Sequence, residues 1–140
     1  IKVGLAVDGS SSNDAGNLLA EARQALLLQR VVNGAGAMSP ADAFRLATAG
    51  GAAVLGRPKL GRIEPACAAD LVLYDATDIA MAGGAAQDAL GALLLCQPSR
   101  PKRVIVAGRT LAQDGRLVGI DQAGLAADFN QLVRQQFTNG

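Results

Sequence analysis

The chain opens with Ile1-Lys2-Val3-Gly4-Leu5-Ala6-Val7, a nearly continuous apolar run in which β-branched residues recur. Such a run predicts a strand buried on both faces of a parallel sheet. Asp8-Gly9 ends it, and Ser10-Ser11-Ser12-Asn13 follows as a polar loop. Leu18, Ala22, Ala25, Leu26 and Val32 then fall near helical spacing, with Asn13 or Asp14 as the expected N-cap and Asn33-Gly34 as the stop. Strand, loop and helix in that order make a unit of the α/β kind.

Ser39-Pro40 is a second helix start, Ser at the N-cap and Pro at the first helical position, leading into residues 41–49 with Phe44 and Ala47 on one side. Gly50-Gly51 is expected to interrupt or end that helix, and residues 52–55 to add a short one. A Gly/Pro-rich connector from 56 to 65 then marks a boundary. Beyond it the pattern turns toward strands at 70–74, 103–107, 110–113 and 116–118, the last two closed into a hairpin by Asp114-Gly115. Residues 85–95 read as helical or partly irregular. The chain closes with a helix over 122–137, capped by Asp121, in which Leu125, Phe129, Leu132 and Val133 form an apolar face broken by Gln136. Three or four strands leave sheet edges open unless other strands cover them.

Half of the residues are hydrophobic, which predicts a globular chain able to bury a sizeable core. Thirteen Lys and Arg against 12 Asp and Glu give a formal charge of +1, without a basic stripe for nucleic acid. No apolar run approaches the roughly 20 residues that span a bilayer, and no leader peptide is recognisable. Cys67 and Cys96 lack C-x-x-C spacing, which fits a reducing cytoplasm better than a disulfide framework. The sequence contains no histidine, so Ser-His-Asp and Cys-His systems and a His-rich zinc site are excluded within these residues. If the chain serves an enzyme, part of the site is expected upstream. The abrupt start on a strand, with no Met, carries the same expectation.

Asp8 occupies the place where α/β folds put chemistry, at the carboxyl end of a parallel strand before a loop and helix. Position alone still favours a turn carboxylate, because Asp-Gly is an ordinary way to leave a strand. The serine loop lacks the Lys and flanking glycines of a phosphate loop, and G-x-S-x-G is absent. Gly34-Ala35-Gly36 lacks a third glycine and follows no strand. Glu21 and Arg23 read as solvent-facing helix residues.

The stretch Gly4-Leu-Ala-Val-Asp-Gly-Ser-Ser-Ser-Asn-Asp14, with the helix running into Leu-Leu-Leu-Gln29, resembles the eighth barrel strand and loop of metal-dependent amidohydrolases acting on nitrogen heterocycles. Ser39-Pro-Ala-Asp-Ala-Phe-Arg-Leu-Ala-Thr48 and Gly61-Arg-Ile-Glu-Pro-Ala-Cys-Ala-Ala-Asp-Leu-Val-Leu-Tyr-Asp75 are similar to that family's crossing from barrel to a small β-sandwich. Val104-Ile-Val-Ala-Gly-Arg109, with Asp114-Gly-Arg-Leu117, resembles its closing hairpin. Ala66 stands where the family usually has glycine, a departure expected to affect packing and not chemistry. Ala89-Leu-Gly-Ala-Leu-Leu-Leu-Cys96 is most similar to the branch containing 8-oxoguanine deaminase and hydroxyatrazine ethylaminohydrolase.

The fold class implied is α/β: the last strand and helices of a (β/α)₈ barrel over 1–56, C-terminal strands of a β-sandwich over 57–120, and a closing helix over 121–140. The resemblance implies that Asp8 both ligates one divalent metal, zinc in first place and iron as the alternative, and exchanges a proton with the hydrolytic water. A bound metal lowers the pKa of water far below its bulk value, to about 7, so hydroxide forms at neutral pH. The reaction implied is hydrolytic deamination of a purine-like or triazine-like ring, with the His ligands and a Glu acid upstream. Ser12 and Asn13 are expected to shape the loop, with substrate contact as their lesser role. A small heterocyclic substrate is the expected partner, neither nucleic acid nor membrane is, and self-association stays open. The alternatives are another amidohydrolase substrate (an adenosine-like thioether, a chlorinated ring or an imidazolone), or a non-catalytic structural module if the chain truly starts at Ile1.

Overall fold

The computed structural model describes residues 1–96 and 100–137. A helical layer comes first: α1 (Leu18–Asn33), then α2 (Pro40–Arg45), a π-type turn (Leu46–Gly50) and α3 (Gly51–Val54) in one unbroken helical stretch. Two short helices, α4 (Gly84–Gln87) and α5 (Ala89–Leu95), follow a 3₁₀ turn over Ile79–Met81. The antiparallel sheet has the order β1 (Leu71–Leu73), β2 (Arg103–Val106), β3 (Arg109–Gln113), β4 (Arg116–Leu117). The long helix α6 (Gln122–Phe137) ends the described chain.

The cap of α1 is Asn17, and neither Asn13 nor Asp14. Its side-chain oxygen accepts the N–H groups of Leu19 and Ala20, so the polar loop runs three or four residues longer than its composition suggested. Gly34, at φ +95, returns its N–H to the Arg30 carbonyl and ends the helix where expected. The buried face of α1 is Leu19, Ala22 and Leu26; Leu18 and Val32, expected to share it, are exposed. Ala22, Leu26, Ala43 and Leu94 form the packed centre, where α1, α2 and α5 meet, with Phe44 and Ala47 against it.

Ser39 caps α2 through a reciprocal box, its hydroxyl taking the Asp42 N–H while the Asp42 carboxylate takes the Ser39 N–H. The Ser39 hydroxyl also donates to the Asp42 carboxylate at 2.6 Å, and that bond first, then the one from the Ser39 N–H, with Arg45 nearby, holds the Asp42 carboxyl below its ordinary value. The glycine pair does not stop the helix. Gly50 and Gly51 stay helical at φ −63 and −58, and the helix widens through the turn that ends at Gly50. Their missing side chains admit another backbone: a Cβ on Gly4 would lie 2.7 Å from the Gly51 Cα, and one on Gly50 would lie 2.6 Å from the Val3 carbonyl oxygen. The Leu46 carbonyl in the widened turn accepts the Leu5 N–H at 3.2 Å.

Residues 1–7 form no strand ladder within the described chain, contrary to the pattern. A strand needs at least one hydrogen-bonded neighbour, and among the described residues the four-stranded sheet is built from β1–β4 alone.

The sheet matches its expected strands closely. Asp114 and Gly115, at φ +50 and +75, make the tight β3–β4 turn. A second such turn, Ala107-Gly108 at φ +49 and +78, joins β2 to β3 where the sequence pattern had continued a strand. Asp70 secures it, its Oδ1 taking the Ala107 N–H at 2.7 Å. Ala66 sits at φ +65, so its substitution for glycine bears on backbone strain, not on packing. Between sheet and helices lies an apolar cavity of about 410 Å³ whose lining includes Leu19, Phe44, Leu71 and Leu93. Tyr74 lines it too, and burial raises its phenol pKa.

The core is smaller than the composition promised. Among the described residues Leu26 and Leu94 are the largest fully enclosed side chains, whereas Val31, Val32, Leu125, Phe129, Leu132 and Phe137 are exposed. The accessible surface is 10099 Å², against about 6,800 Å² for a compact monomer of this mass. Uncovered apolar side chains include Ile1 and Val3 in the first segment, Val31 and Val32 at the end of α1, and Leu125, Phe129, Leu132 and Phe137 along α6. No described helix is long and apolar enough to cross a membrane.

Candidate functional site

The chain reverses direction immediately after Val7, and the reversal is built from backbone bonds. The Gly9 carbonyl accepts the N–H groups of Ser12 at 2.9 Å and Asn13 at 3.0 Å. Asp8 enters this turn at φ +64, a left-handed conformation that costs a residue with a Cβ about 1–2 kcal/mol. Aspartate is among the few residues that tolerate it, because its short carboxylate can bond locally. Here Oδ1 takes the Gly9 N–H at 2.7 Å. The second oxygen, Oδ2, has no hydrogen-bond partner among the described residues, and the side chain is exposed.

Asn13 locks the far end of the turn. Its amide nitrogen donates to the Val7 carbonyl and to Glu21 Oε1, both at 2.9 Å, and its amide oxygen accepts the Ala15 N–H at 3.0 Å. These three contacts use both amide hydrogens and the oxygen within the chain. Ser12 is exposed and contributes its backbone N–H. Asp8 and Asn13 are therefore brought together through the Val7–Asp8 backbone, while the Ser12 side chain stays apart.

Glu21 is the residue that sequence reasoning missed. The sequence pattern places it facing solvent, yet it is half-buried in the first turn of α1 with its carboxylate accepting from the Asn13 amide. Arg23 is half-buried as well, its Nε enclosed without a hydrogen-bond partner among the described residues. A carboxylate in the first turn of a helix is ordinary by sequence, since the helix dipole favours it there. Only the chain reversal makes it a neighbour of Val7.

Among the described residues no three His, Cys, Asp or Glu groups cluster closely enough to hold a metal ion. Cys67 and Cys96 are both free thiols. The acidic residues with lowered pKa, Asp42 and Asp75, owe it to bonds from Ser39 and Thr77 and lie outside the Asp8 turn.

Residues 1–111 match the model of the amidohydrolase family. An 8-oxoguanine deaminase from Pseudomonas aeruginosa is 46% identical over 125 residues, covering 89% of this chain and 27% of that protein. A hydroxydechloroatrazine ethylaminohydrolase from Pseudomonas sp. strain ADP is 34% identical over 139 residues, covering 96% of this chain and 29% of that protein. The crystal structure of atrazine chlorohydrolase TrzN from Arthrobacter aurescens TC1, complexed with zinc, superposes with a TM-score of 0.86 at 33% identity, over 95% of this chain and 30% of that one. The chain thus spans under a third of the length of these relatives. The family model matched over residues 1–111, together with 46% identity across 89% of the chain to an 8-oxoguanine deaminase, shows that this chain belongs to the amidohydrolase family.

Proposed function

We propose that this chain forms the closing part of a metal-dependent hydrolase that removes an amino group from a purine-like ring, with 8-oxoguanine the first substrate to try. The observation that carries the reading is Asp8, held in a strained conformation by its own turn with Oδ2 left unengaged. Strain of this kind persists where the surrounding structure enforces it, and functional sites are where it gathers. The 46% identity to an 8-oxoguanine deaminase supports the substrate class. The alternative ring is a triazine, supported by the 34% identity to an ethylaminohydrolase.

Asp8 fits a divalent metal as one hard oxygen ligand, and zinc is supported by the zinc-bearing structural relative. Tetrahedral coordination asks for three further ligands, and the sequence offers no histidine among them. In this reading they come from strands preceding residue 1, with residues 1–56 as the last strand and terminal helices of a (β/α)₈ barrel, 57–120 as part of a β-sandwich and 121–140 as a closing helix. The uncovered apolar surface supports that arrangement, since residues 1–7 and α6 would pack against the missing elements. Free Cys67 and Cys96 fit a cytoplasmic setting.

When bound, the metal would supply a water acidified far below its bulk value, to a pKa of about 7. Asp8 would accept that water's proton and return it to the departing ammonia, serving as base and then acid. Asn13 and the Gly9 carbonyl hold the turn so that the carboxylate does not reorient.

Asp8→Asn tests the reading in the full-length protein. Metal content should fall well below one equivalent and kcat/KM for 8-oxoguanine by at least about 1,000-fold, the scale of a lost acid–base group together with a lost ligand. Retained metal with full deaminase activity would remove Asp8 from the mechanism.

A further inference from the structure

We propose that Glu21 is a positioning residue for Asp8, acting through the Asn13 amide; the proposal rests on the reading of Asp8 as a metal ligand. The chain of contacts is continuous. Glu21 Oε1 accepts from Asn13 Nδ2, and the same nitrogen donates to the Val7 carbonyl. That carbonyl belongs to the peptide unit joining Val7 to Asp8, so its direction sets the backbone from which the carboxylate projects.

The chemistry of an amide explains why a carboxylate is needed. A primary amide can be turned by 180°, which exchanges its oxygen and nitrogen at little intrinsic cost. In the flipped state the Asn13 oxygen would face the Val7 carbonyl and the Glu21 carboxylate, both acceptors, and its nitrogen would face the Ala15 N–H, a donor. Three attractive contacts would become three repulsive ones. Glu21 is the one member of this set supplied by another element, so it ties the turn to the rigid start of α1. Being half-buried, its hydrogen bond is less open to competition from water than a surface contact. The remaining backbone bonds of the turn, from Ser12 and Asn13 to the Gly9 carbonyl, fix its closure but do not reach Val7.

Outer partners that orient a metal ligand typically carry about 10–100-fold in metal affinity. The test uses the full-length protein, with zinc affinity read by competition against a chromophoric chelator and ligand geometry by the absorption spectrum of the cobalt-loaded form. Glu21→Ala is expected to weaken zinc binding about 10–100-fold and to alter the cobalt spectrum, with thermal unfolding of the metal-free protein unchanged. Glu21→Gln keeps an acceptor oxygen and should stay within about threefold of wild type. Asn13→Asp, which places oxygen against two acceptors, should match or exceed the loss in Glu21→Ala. Wild-type zinc affinity and spectrum in Glu21→Ala overturn the proposal, as does equal impairment in Glu21→Gln. A Glu21→Ala protein that does not fold also overturns it, because the contact then holds the fold. Failure of the underlying reading looks different: Asp8→Asn would itself keep its zinc.

Discussion

Replacing Gly4 with alanine probes how the first segment is held against the helix, and so how Asp8 is placed. The new Cβ would lie 2.7 Å from the Gly51 Cα, 2.8 Å from its nitrogen and 3.2 Å from the Gly50 carbonyl carbon. All three are backbone atoms of the helical stretch, so no side chain can rotate aside. Moving from 2.7 Å to the 3.4 Å where ordinary contact begins requires a displacement of about 0.7 Å. The neighbouring bond from Leu5 N–H to the Leu46 carbonyl, now 3.2 Å, would stretch beyond hydrogen-bonding range if the segment moved away by that amount. Overpacking of this kind costs about 1–3 kcal/mol. Asp8, the proposed metal ligand, lies four residues further along the same segment, and a metal site tolerates about 0.5 Å of misplacement. The expected outcome is a loss of about 10- to 100-fold in zinc affinity and kcat/KM, beside a lower urea midpoint at unchanged m-value. Gly16→Ala is the control, since its Cβ would meet nothing within 4 Å. It should leave stability within about 0.5 kcal/mol and activity unchanged. A Gly4→Ala protein with wild-type midpoint and zinc affinity would refute the argument that this close approach fixes the segment.

Two further predictions concern the frame around the site. Ala66→Gly should raise stability by about 0.5–1 kcal/mol in denaturant unfolding, because the left-handed strain relieved exceeds the added unfolded-state entropy; a destabilised variant contradicts this. The capping box at α2 should be acid-sensitive. The Asp42 carboxyl is held below its ordinary 3.8, chiefly by its bonds from Ser39, so its contribution is fully present above that value and is lost as pH falls through the lowered native one. Acid unfolding compared with Asp42→Asn should show the gap between the two proteins closing in that range, and a gap independent of pH would dismiss the linkage.

Much of the helical and strand order was legible in local chemistry. Ser39-Pro40 and Asp42 make a cap that depends on residues three apart, and Asn33-Gly34 a stop that depends on one positive φ. Asp114-Gly115 closes a turn whose two residues both need positive φ, which the dipeptide states directly. Where the reading erred, distant partners decided. Gly50-Gly51 resembled a helix end, yet the glycines serve the approach of Gly4 from 46 residues earlier in the chain. Ala107 resembled a strand residue, yet Asp70 secures it in a left-handed turn. Leu18 and Val32 suited the helical period, but the neighbouring helices lie on the Leu19 side.

The Asp8 turn divides the same way. Sequence by itself determined that a carboxylate ends the first segment, that a polar loop follows, and that no histidine is at hand. Tertiary structure decided that Asp8 is left-handed with one oxygen unengaged, and that Asn13 bridges Val7 to Glu21. The physical reason is range. Caps and tight turns are energies of residues a few positions apart, so composition and spacing record them. The Asn13 bridge depends on a chain reversal that brings a strand end against a helix start, and no local preference of Glu21 encodes that meeting.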